Sequence, residues 1–327
     1  MPALAIDLGG TKLATATFSA DGTLLHRDSI PLDGRAGAEV GALVARRCEG
    51  ATGGVGVTVP GIYRAERGTV WAPNIPGWDD YPLRDELRRV VSPGVPVVID
   101  SDRAGYILGE VWRGAARGAR DAIFLAVGTG IGAGIMVDGR VLRGHGDIGG
   151  AIGWLALDRP YREEYRGCGC FEHHASGPGL AKVAREKLAR DHDYDGELRK
   201  VDPIALTAER IFAAYENGDA IATGVIDDAI VFWGMAAANL VSLFNPEVIV
   251  FGGGVFGPAA RLLDRIREEA VRWAQPIAVK EARFVASELG GDAGLYGAAR
   301  LALLAGADTL AALADAAHNE MHSTQPR

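Results

Sequence analysis

The sequence lacks several features that mark secreted, membrane or nucleic-acid-binding proteins. It has 3 cysteines in 327 residues, too few for a disulfide framework, which favours a reducing compartment. Its first residues, Met1 to Asp7, contain neither a basic segment nor a cleavage pattern, so we predict no signal peptide. Because 34 Lys and Arg stand against 42 Asp and Glu, the net charge is −8. That charge argues against nucleic acid or an anionic membrane as the main partner, and we predict a cytoplasmic protein.

Long uncharged runs are also scarce. The run from Ala229 to Pro246 contains Asn239, Ser242 and Asn245, which predicts a buried core helix rather than a membrane span. With 48% hydrophobic and 23% charged residues, the chain has the composition of a soluble globular protein. Its length indicates roughly two domains.

The chain opens with a strand that ends in a glycine turn. Apolar residues 3–6 lead into Asp7, and the alternating residues 13–18 predict a second strand after the turn. A strand-turn-strand with bare N–H groups, one hydroxyl and one ammonium suits a phosphate chain, and the residues that supply them are Gly9, Gly10, Thr11 and Lys12. Asp7 is placed to hold a hydrated Mg²⁺. The alternative is an ordinary glycine turn in a hairpin.

The same order of elements occurs a second time. A buried strand, residues 122–127, runs into a glycine-rich turn that contains Gly128, Thr129, Gly130 and Gly132. A strand at residues 135–137 and an Asp-Gly hairpin come next, as they do after the first turn. This repeat predicts two related half-folds, each with a phosphate-binding hairpin. A dinucleotide-binding fingerprint is excluded because no helix opens directly after the glycines.

Two later strands end in residues that suit a ligand site. Residues 95–99 deliver Ser101 and Asp102 to the carboxyl end of a strand, where open α/β sheets bind their ligands. Asp102 could instead be a helix N-cap. The strand at residues 247–251 runs into Gly252, Gly253 and Gly254, which let a ribose or purine lie against the backbone. A plain glycine-rich loop is the alternative for these three glycines.

These motifs, in this order and over nearly the whole chain, resemble those of the ROK family of repressors, open reading frames and sugar kinases. The resemblance also rests on Pro60-Gly61, on the stretch from Ala72 through Asn74 to Trp78, and on residues 293–299. It implies an α/β, two-lobed actin-like ATPase (ribonuclease H-like) fold with duplicated βββαβα domains around a central cleft. We expect a smaller lobe at residues 1–103 plus 300–327 and a larger lobe at 104–299. It also implies a homodimer that binds ATP, Mg²⁺ and a sugar-like substrate.

The implied reaction is phosphoryl transfer to an alcohol, commonly the primary hydroxyl of a hexose, which needs a group that accepts the hydroxyl proton. Asp102 matches the catalytic carboxylate of the family and Asp7 the Mg²⁺-associated one. Both glycine hairpins match phosphate-binding elements, and the three-glycine turn matches the adenosine loop. The substrate-binding positions that the resemblance implies are Gly61, Asn74, Ser101, Asp102, Ala151, Trp154 and Glu172.

Three of these positions depart from the family pattern. Ser101 stands where the family has a sugar-binding Asn, Ala151 where it has a Glu, and Trp154 where it has a His. Losing a charged hydrogen-bond partner typically costs about 1.5–3 kcal/mol, so a substrate with a different ring edge is expected. A C7-cyclitol, an amino sugar or a modified hexose would fit, and Asp147 could supply a substitute carboxylate.

The zinc loop of the family is shortened in this chain. Cys168, Cys170 and His173 remain as weak zinc candidates, but their side chains diverge and two of the family cysteines have no counterpart. We therefore expect structural zinc to be absent.

Other functions stay open to different degrees. An ordinary glucokinase or hexokinase is the alternative within the enzymes, and a catalytically silent sugar sensor is the alternative outside them. A ROK repressor would need a helix-turn-helix segment before Asp7, so we expect no DNA binding. The sequence does not decide between ATP and polyphosphate as the phosphoryl donor.

Overall fold

A computed structural model of the protein describes residues 1–306, in which the chain forms two compact units. Unit 1 comprises Met1–Arg113, Arg143–Ile148 and the chain from Asp292 onward. Unit 2 comprises Gly114–Leu142 and Gly149–Gly291. The predicted lobe boundary after residue 103 therefore differs from this division, as does the one after residue 299. Residues 307–327, which we assigned to the smaller lobe, lie outside the described part of the chain.

Unit 1 is built on a mixed sheet. Its strands are β1 (Ala3–Leu8), β2 (Lys12–Phe18), β3 (Leu24–Pro31), β4 (Val55–Val59), β5 (Ile62–Arg64), β6 (Thr69–Trp71) and β7 (Val97–Ser101). Its helices are α1 (Gly37–Cys48), α2 (Leu83–Val90) and α3 (Asp102–Arg113), and residues 293–306 are helical as well. The five-stranded sheet has the order β3-β2-β1-β4-β7, and β5 pairs with β6 separately. Strands β1 to β3 are antiparallel, whereas β4 and β7 run parallel to β1.

Unit 2 repeats this plan with more helices. Its strands are β8 (Ala122–Val127), β9 (Ile131–Val137), β10 (Arg140–Val141), β11 (Val248–Gly252) and β12 (Arg283–Ala286). Its helices are α4 (Cys170–Ala175), α5 (Gly177–Arg190), α6 (Ala208–Glu216), α7 (Ala220–Phe244), α8 (Leu263–Trp273) and α9 (Ala278–Glu281). The sheet order β10-β9-β8-β11-β12 has the same sequence of antiparallel and parallel neighbours as in unit 1.

The matching strand orders confirm the repeat that the two glycine turns predict. In each unit the first strand is central, a hairpin partner lies on one side and parallel strands lie on the other. Helices cover such parallel strands on both faces, which is why β4 and β11 are buried along their whole length. The two units together define the actin-like ATPase fold.

The apolar run predicted to be a core helix lies in α7. By length and composition this helix could cross a membrane, but 56% of its most apolar window is buried within the protein. Trp233 in α7 is fully buried, and its indole Nε1 donates a hydrogen bond to the carbonyl oxygen of Ala175 at 3.1 Å. Helices α5, α6 and α8 pack against α7, which is the environment of a core helix.

Candidate active site

The carboxylate of Asp7 is fixed by strand register in unit 1. Asp7 on β1 pairs with Thr58 on β4, and Thr58 pairs in turn with Asp100 on β7. The fully buried Thr58 donates from Oγ1 to Asp7 Oδ1 at 2.7 Å. A side chain at Gly294 would collide with the Asp7 carboxyl, because a Cβ there would lie 2.7 Å from Asp7 Cγ. The sequence analysis missed Thr58, although the strand pairing alone could have revealed it.

The surroundings of Asp7 suit a cation. Burial raises the pKa of Asp7, the hydrogen bond from Thr58 and the charge of Lys12 lower it, and the charge of Asp292 raises it further. Mg²⁺ in kinases is typically held by one or two carboxylates together with substrate phosphates and water. Asp7 therefore fits Mg²⁺, although within residues 1–306 no group of three or more His, Cys, Asp or Glu side chains could hold a metal unaided.

The first glycine turn is a compact hairpin end. The Gly9 N–H donates to the Lys12 carbonyl oxygen at 2.9 Å, which closes the turn between β1 and β2. A Cβ at Gly10 would lie 3.3 Å from the Asn74 Cβ, so the structure brings Asn74 against this turn. Thr11 and Lys12 are exposed, which leaves the hydroxyl and the ammonium accessible to a ligand.

Asp102 is the first residue of α3, directly after β7. Ser101 Oγ caps this helix by accepting a hydrogen bond from the Ala104 N–H at 3.3 Å, so the N-cap role that we considered for Asp102 belongs to Ser101. Burial raises the pKa of Asp102 to about 6, the charge of Arg103 lowers it and that of Asp7 raises it. A carboxylate with a raised pKa at the end of a strand suits a general base.

Arg103 and Tyr106, which the sequence analysis did not single out, surround Asp102. Arg103 donates from Nη2 to the Gly61 carbonyl oxygen at 3.2 Å and so holds the turn after β4. Gly61 has φ +83°, and a Cβ there would lie 2.2 Å from the Trp71 carbonyl oxygen, so the turn requires glycine. The Tyr106 hydroxyl donates to Asp102 Oδ2 at 3.4 Å. Helical i, i+4 spacing was the signal that could have identified Tyr106.

Asp147 is already engaged by the backbone. Its Oδ2 accepts a hydrogen bond from the Ala65 N–H at 3.0 Å. Nearby in unit 1, Arg143 donates from Nε to the buried Asp100 carboxylate at 3.0 Å. The segment Arg143–Ile148 is therefore attached to the core of unit 1, and Asp147 is less suited to replace a missing substrate carboxylate than the sequence suggests.

The second glycine turn, in unit 2, is shorter than predicted. The Gly128 N–H donates to the Gly130 carbonyl oxygen at 2.9 Å, and β9 begins at Ile131. Gly132 therefore lies within β9, paired with Ala126, rather than in the turn. Glu172 lies under this turn, because its Oε2 accepts from the Ile131 N–H at 2.7 Å and lies 3.0 Å from where a Gly130 Cβ would be. Burial raises the pKa of Glu172.

Trp154 lies beside Glu172 and is exposed. Gly153, which precedes Trp154, leaves no room for a Cβ because Glu172 Oε2 would be 3.0 Å away. The Trp154 side chain is 59% accessible. Ala151, the other departure from the family pattern in this unit, precedes the short 3₁₀ turn that Trp154 ends. This turn contacts α4, the helix that carries Glu172.

The three glycines after β11 have different roles. A Cβ at Gly252 would lie 2.2 Å from the Phe124 ring, and Gly253 has φ +88° with the Val127 carbonyl oxygen 2.4 Å from its Cβ position. These two glycines are required by packing and by backbone conformation. Gly254 has open space around its Cβ position and lines a cavity.

That cavity has a volume of about 610 Å³ and lies entirely in unit 2. The turn residues Gly128 and Thr129 line it, together with an apolar wall formed by Ala181, Leu206, Phe212, Val255 and Pro258. Lys182 and Arg185, one helical turn apart on α5, add positive charge. An apolar wall next to cations and a glycine turn suits a nucleobase with its phosphates. Of the residues that line this cavity, only Gly128, Thr129 and Gly254 were predicted from the sequence.

The shortened cysteine loop packs around Tyr165. The Tyr165 hydroxyl lies 2.8 Å from His174 Nε2 and donates to Asp158 Oδ2 at 3.1 Å. Within residues 1–306, neither ring nitrogen of the buried His173 has a hydrogen-bond partner, and burial lowers the pKa of His173. Cys168 donates from Sγ to the Gly169 carbonyl oxygen, and Cys170 is buried. The loop therefore has an aromatic and imidazole core.

Comparison with known proteins identifies the family. The ROK family profile matches residues 3–304, and the chain belongs to the ROK family. A glucokinase of Halalkalibacterium halodurans is 33% identical over 318 residues, which cover 89% of this chain and 92% of that protein. The ROK hexokinase of Thermus thermophilus has a TM-score of 0.77 and 32% identity, covering 94% of this chain and 100% of that one. A ROK glucokinase from Streptomyces griseus, in complex with glucose and AMPPNP, has a TM-score of 0.70 and 29% identity, covering 92% of this chain and 99% of that one.

Proposed function

We propose that this ROK-family sugar kinase transfers the γ-phosphoryl group of ATP to a hydroxyl, most simply a primary one, of a modified sugar or sugar-like ring. Asp102 is the general base in this proposal, and Asp7 holds Mg²⁺. The bound ion would supply charge neutralisation for the phosphates. The observation that carries the proposal is the partly buried Asp102, whose pKa of about 6 keeps it ionised at neutral pH.

The nucleotide side of the proposal rests on the cavity in unit 2. Its apolar wall of Leu206, Phe212 and Val255 would stack against a purine, whereas polyphosphate has no group that benefits from such a wall. Lys182 and Arg185 would neutralise phosphate charge. The relative solved with AMPPNP supports ATP as donor over polyphosphate.

Ala151 and Trp154 support a substrate that differs from glucose. The surface that carries Glu172 offers a methyl group and an exposed indole where the family pattern has a carboxylate and an imidazole. An indole favours the apolar face of a ring or a cationic amino group. An amino sugar or a C7-cyclitol therefore suits this surface better than glucose does.

Ordinary glucokinase activity is the second candidate, because two of the relatives are named glucokinases. The third candidate is a sugar sensor without turnover. We further infer that the protein is cytoplasmic and forms a homodimer. The molecular mass in solution would test the homodimer. DNA binding is not part of the proposal, because the net charge is −8.

The test is ADP release from ATP and Mg²⁺ with a panel of acceptors: glucose, mannose, N-acetylmannosamine, 3-amino-3-deoxyglucose and C7-cyclitols. Asp102→Asn is the blank, and polyphosphate replaces ATP in a parallel series. We expect strong turnover on an amino sugar or cyclitol and weak turnover on glucose. Efficient use of glucose would contradict our interpretation of Ala151 and Trp154, and binding without turnover would favour the sensor.

Two substitutions sharpen the substrate assignment. Ala151→Glu restores a carboxylate, so we expect glucose turnover to rise relative to that of the preferred acceptor. Ala156→Glu, at an exposed position of the next loop, is the matched control. Trp154→Ala should raise KM for the preferred acceptor, whereas Trp273→Ala, which removes another exposed indole of unit 2, should not.

A further inference from the structure

We propose that Tyr106 is a positioning residue for Asp102: its hydroxyl holds the Oδ2 oxygen, so that the carboxylate presents one fixed face to the acceptor hydroxyl. This inference rests on the proposed function, because it assigns Tyr106 a role in the proton transfer that Asp102 performs there. Tyr106 is not among the residues that the sequence motifs identify.

The geometry of α3 brings the two side chains together. Asp102 is the first residue of the helix, and Tyr106 comes one turn later on the same face. The Tyr106 hydroxyl donates to Asp102 Oδ2 at 3.4 Å, while Asp102 Oδ1 accepts from the Arg103 N–H at 2.7 Å. Each carboxylate oxygen therefore has a donor from α3. A carboxylate held at both oxygens loses the freedom to rotate about its terminal torsion.

The hydrogen bond has room to shorten. A distance of 3.4 Å is long for a hydroxyl that donates to a carboxylate, since such bonds are usually about 2.5–2.7 Å. Hydrogen bonds of catalytic groups are often long without substrate and tighten when it binds. Each carboxylate oxygen has more than one acceptor site, so Oδ2 can accept a hydrogen bond from the substrate hydroxyl while Tyr106 also donates to it.

The charges around Asp102 and Tyr106 determine which of these two side chains is the hydrogen-bond donor. The groups that act on Asp102 are Arg103 and Tyr106 from α3 and Asp7 from β1. The charge of Asp102, then burial and the charge of Asp7, raise the pKa of Tyr106 well above its usual value. Tyr106 thus stays protonated and acts as a donor at every working pH. Its hydrogen bond lowers the pKa of Asp102, against the larger effect of burial.

Tyr106→Phe separates this role from packing, because phenylalanine keeps the ring and removes only the hydroxyl. We expect kcat to fall about three- to tenfold, while KM for the acceptor changes less than about twofold. Without the hydroxyl the pKa of Asp102 rises, so the acid limb of the kcat/KM profile moves to higher pH. Tyr296→Phe is the matched control, since Tyr296 packs on Phe18 and Trp112 in the same unit, and it should change neither quantity.

A second measurement does not depend on turnover. Carboxyl ¹³C NMR, with the Asp102 resonance assigned by Asp102→Asn, tracks the titration of that group directly. An upward shift of the Asp102 titration in Tyr106→Phe, with unchanged melting temperature, supports the proposal. An unchanged titration together with an unchanged acid limb overturns it, whatever happens to kcat. If the unsubstituted protein phosphorylates no acceptor, the proposed function fails, while the NMR titration still decides whether Tyr106 acts on Asp102.

Discussion

The two units share a sheet order but place different chemistry at the ends of their strands. Unit 1 has carboxylates there: Asp7 near the end of the first strand and Asp102 after β7. Unit 2 has a glycine turn after β8, the counterpart of β1, and three glycines at the end of β11, the counterpart of β4, together with a cavity of about 610 Å³ that Lys182 and Arg185 make basic. The same backbone plan thus supplies acids in one unit and a basic, partly apolar pocket in the other.

This difference shows that a duplicated fold keeps the positions of its strand ends but allows different residue types at those positions. In both units the first hairpin ends in a glycine turn, and glycines leave the backbone N–H groups of such a turn uncovered by side chains. The residues after the later parallel strands differ between the units, so unit 1 has Asp102 after β7 where unit 2 has Ser287 after β12, the counterpart of β7. Substitutions in each unit test whether the proton acceptor belongs to unit 1 and the nucleotide-binding cavity to unit 2.

The largest effect is expected from the base of unit 1. Asp102→Asn removes the proton acceptor, so kcat should fall by about 10²–10⁴ while the KM for ATP stays unchanged. In the unsubstituted protein, activity should decline as the pH falls below about 6, because Asp102 becomes protonated there. Steady-state kinetics between about pH 5 and pH 9 measure both effects. If Asp102→Asn instead mainly raised the KM for ATP, the assignment of the proton acceptor to unit 1 and of ATP binding to unit 2 would be contradicted.

Asp102→Asn should also increase stability. The pKa of Asp102 lies above its usual value, so native stability is lost as the pH rises from the unfolded pKa to about 6. Asparagine avoids that cost, and the variant should be more stable by up to about 3 kcal/mol at about pH 8, with the difference shrinking toward about pH 4. Urea denaturation at the two pH values measures this. A variant less stable than its parent at the higher pH would show that Asp102 is better solvated than its burial indicates.

The next effect concerns the cavity of unit 2. Gly254→Val fills space that is open around the Gly254 Cβ position, so the KM for ATP should rise at least about tenfold while the KM for the acceptor is unchanged. Gly167→Val also enters open space in unit 2 but lies outside the cavity lining, and it should behave like the parent. A matching rise in acceptor KM for Gly254→Val would mean that the cavity does not bind the donor alone.

A smaller effect is expected from the support of Asp7. Thr58→Val keeps the packing but removes the donor to Asp7 Oδ1, which should lower the free energy of unfolding by about 1–3 kcal/mol. The pKa of Asp7 rises further without this hydrogen bond, so more Mg²⁺ should be needed for half-maximal rate, especially at low pH. Thr58→Ser retains the hydroxyl and should restore both properties. If serine restores neither, the Thr58 methyl group rather than its hydroxyl is what matters.

The smallest effect is expected in the cysteine loop of unit 2. Tyr165→Phe removes the hydrogen bonds to Asp158 and His174 and should lower the stability by about 1 kcal/mol, a fall of roughly 2–4 °C in melting temperature. Tyr161→Phe, at an exposed tyrosine of the same loop, is the control. Chelators should not change the melting temperature of either variant, and a drop on chelation would show that the loop holds a metal.

Sequence reasoning was most successful where a pattern is local. The strands around both glycine turns and the Asp-Gly hairpins result from alternation and turn chemistry over a few residues. The repeat of strand order has the same origin, because each half of the chain carries the same succession of signals. Gly132 was assigned to the wrong element because glycine in a strand looks like glycine in a turn.

Contacts between distant segments of the chain could not be predicted from the sequence. Thr58 reaches Asp7 only because β4 pairs in register with β1. The cavity of unit 2 is lined by residues from 128 to 258, so no stretch of sequence displays it. Whether Asp147 was free could not be known before its bond to the Ala65 N–H was seen.

The sequence by itself determined the family, the two phosphate-type turns and the position of Asp102, because these depend on short runs of residues with few conformational choices. The tertiary structure alone decided the raised pKa of Asp102, the alignment of Thr58 with Asp7, and the apolar wall beside Lys182. Burial and strand register arise only when segments far apart in the chain pack together. The physical reason is that desolvation and register are properties of the assembled core, whereas turns and caps are properties of neighbouring residues.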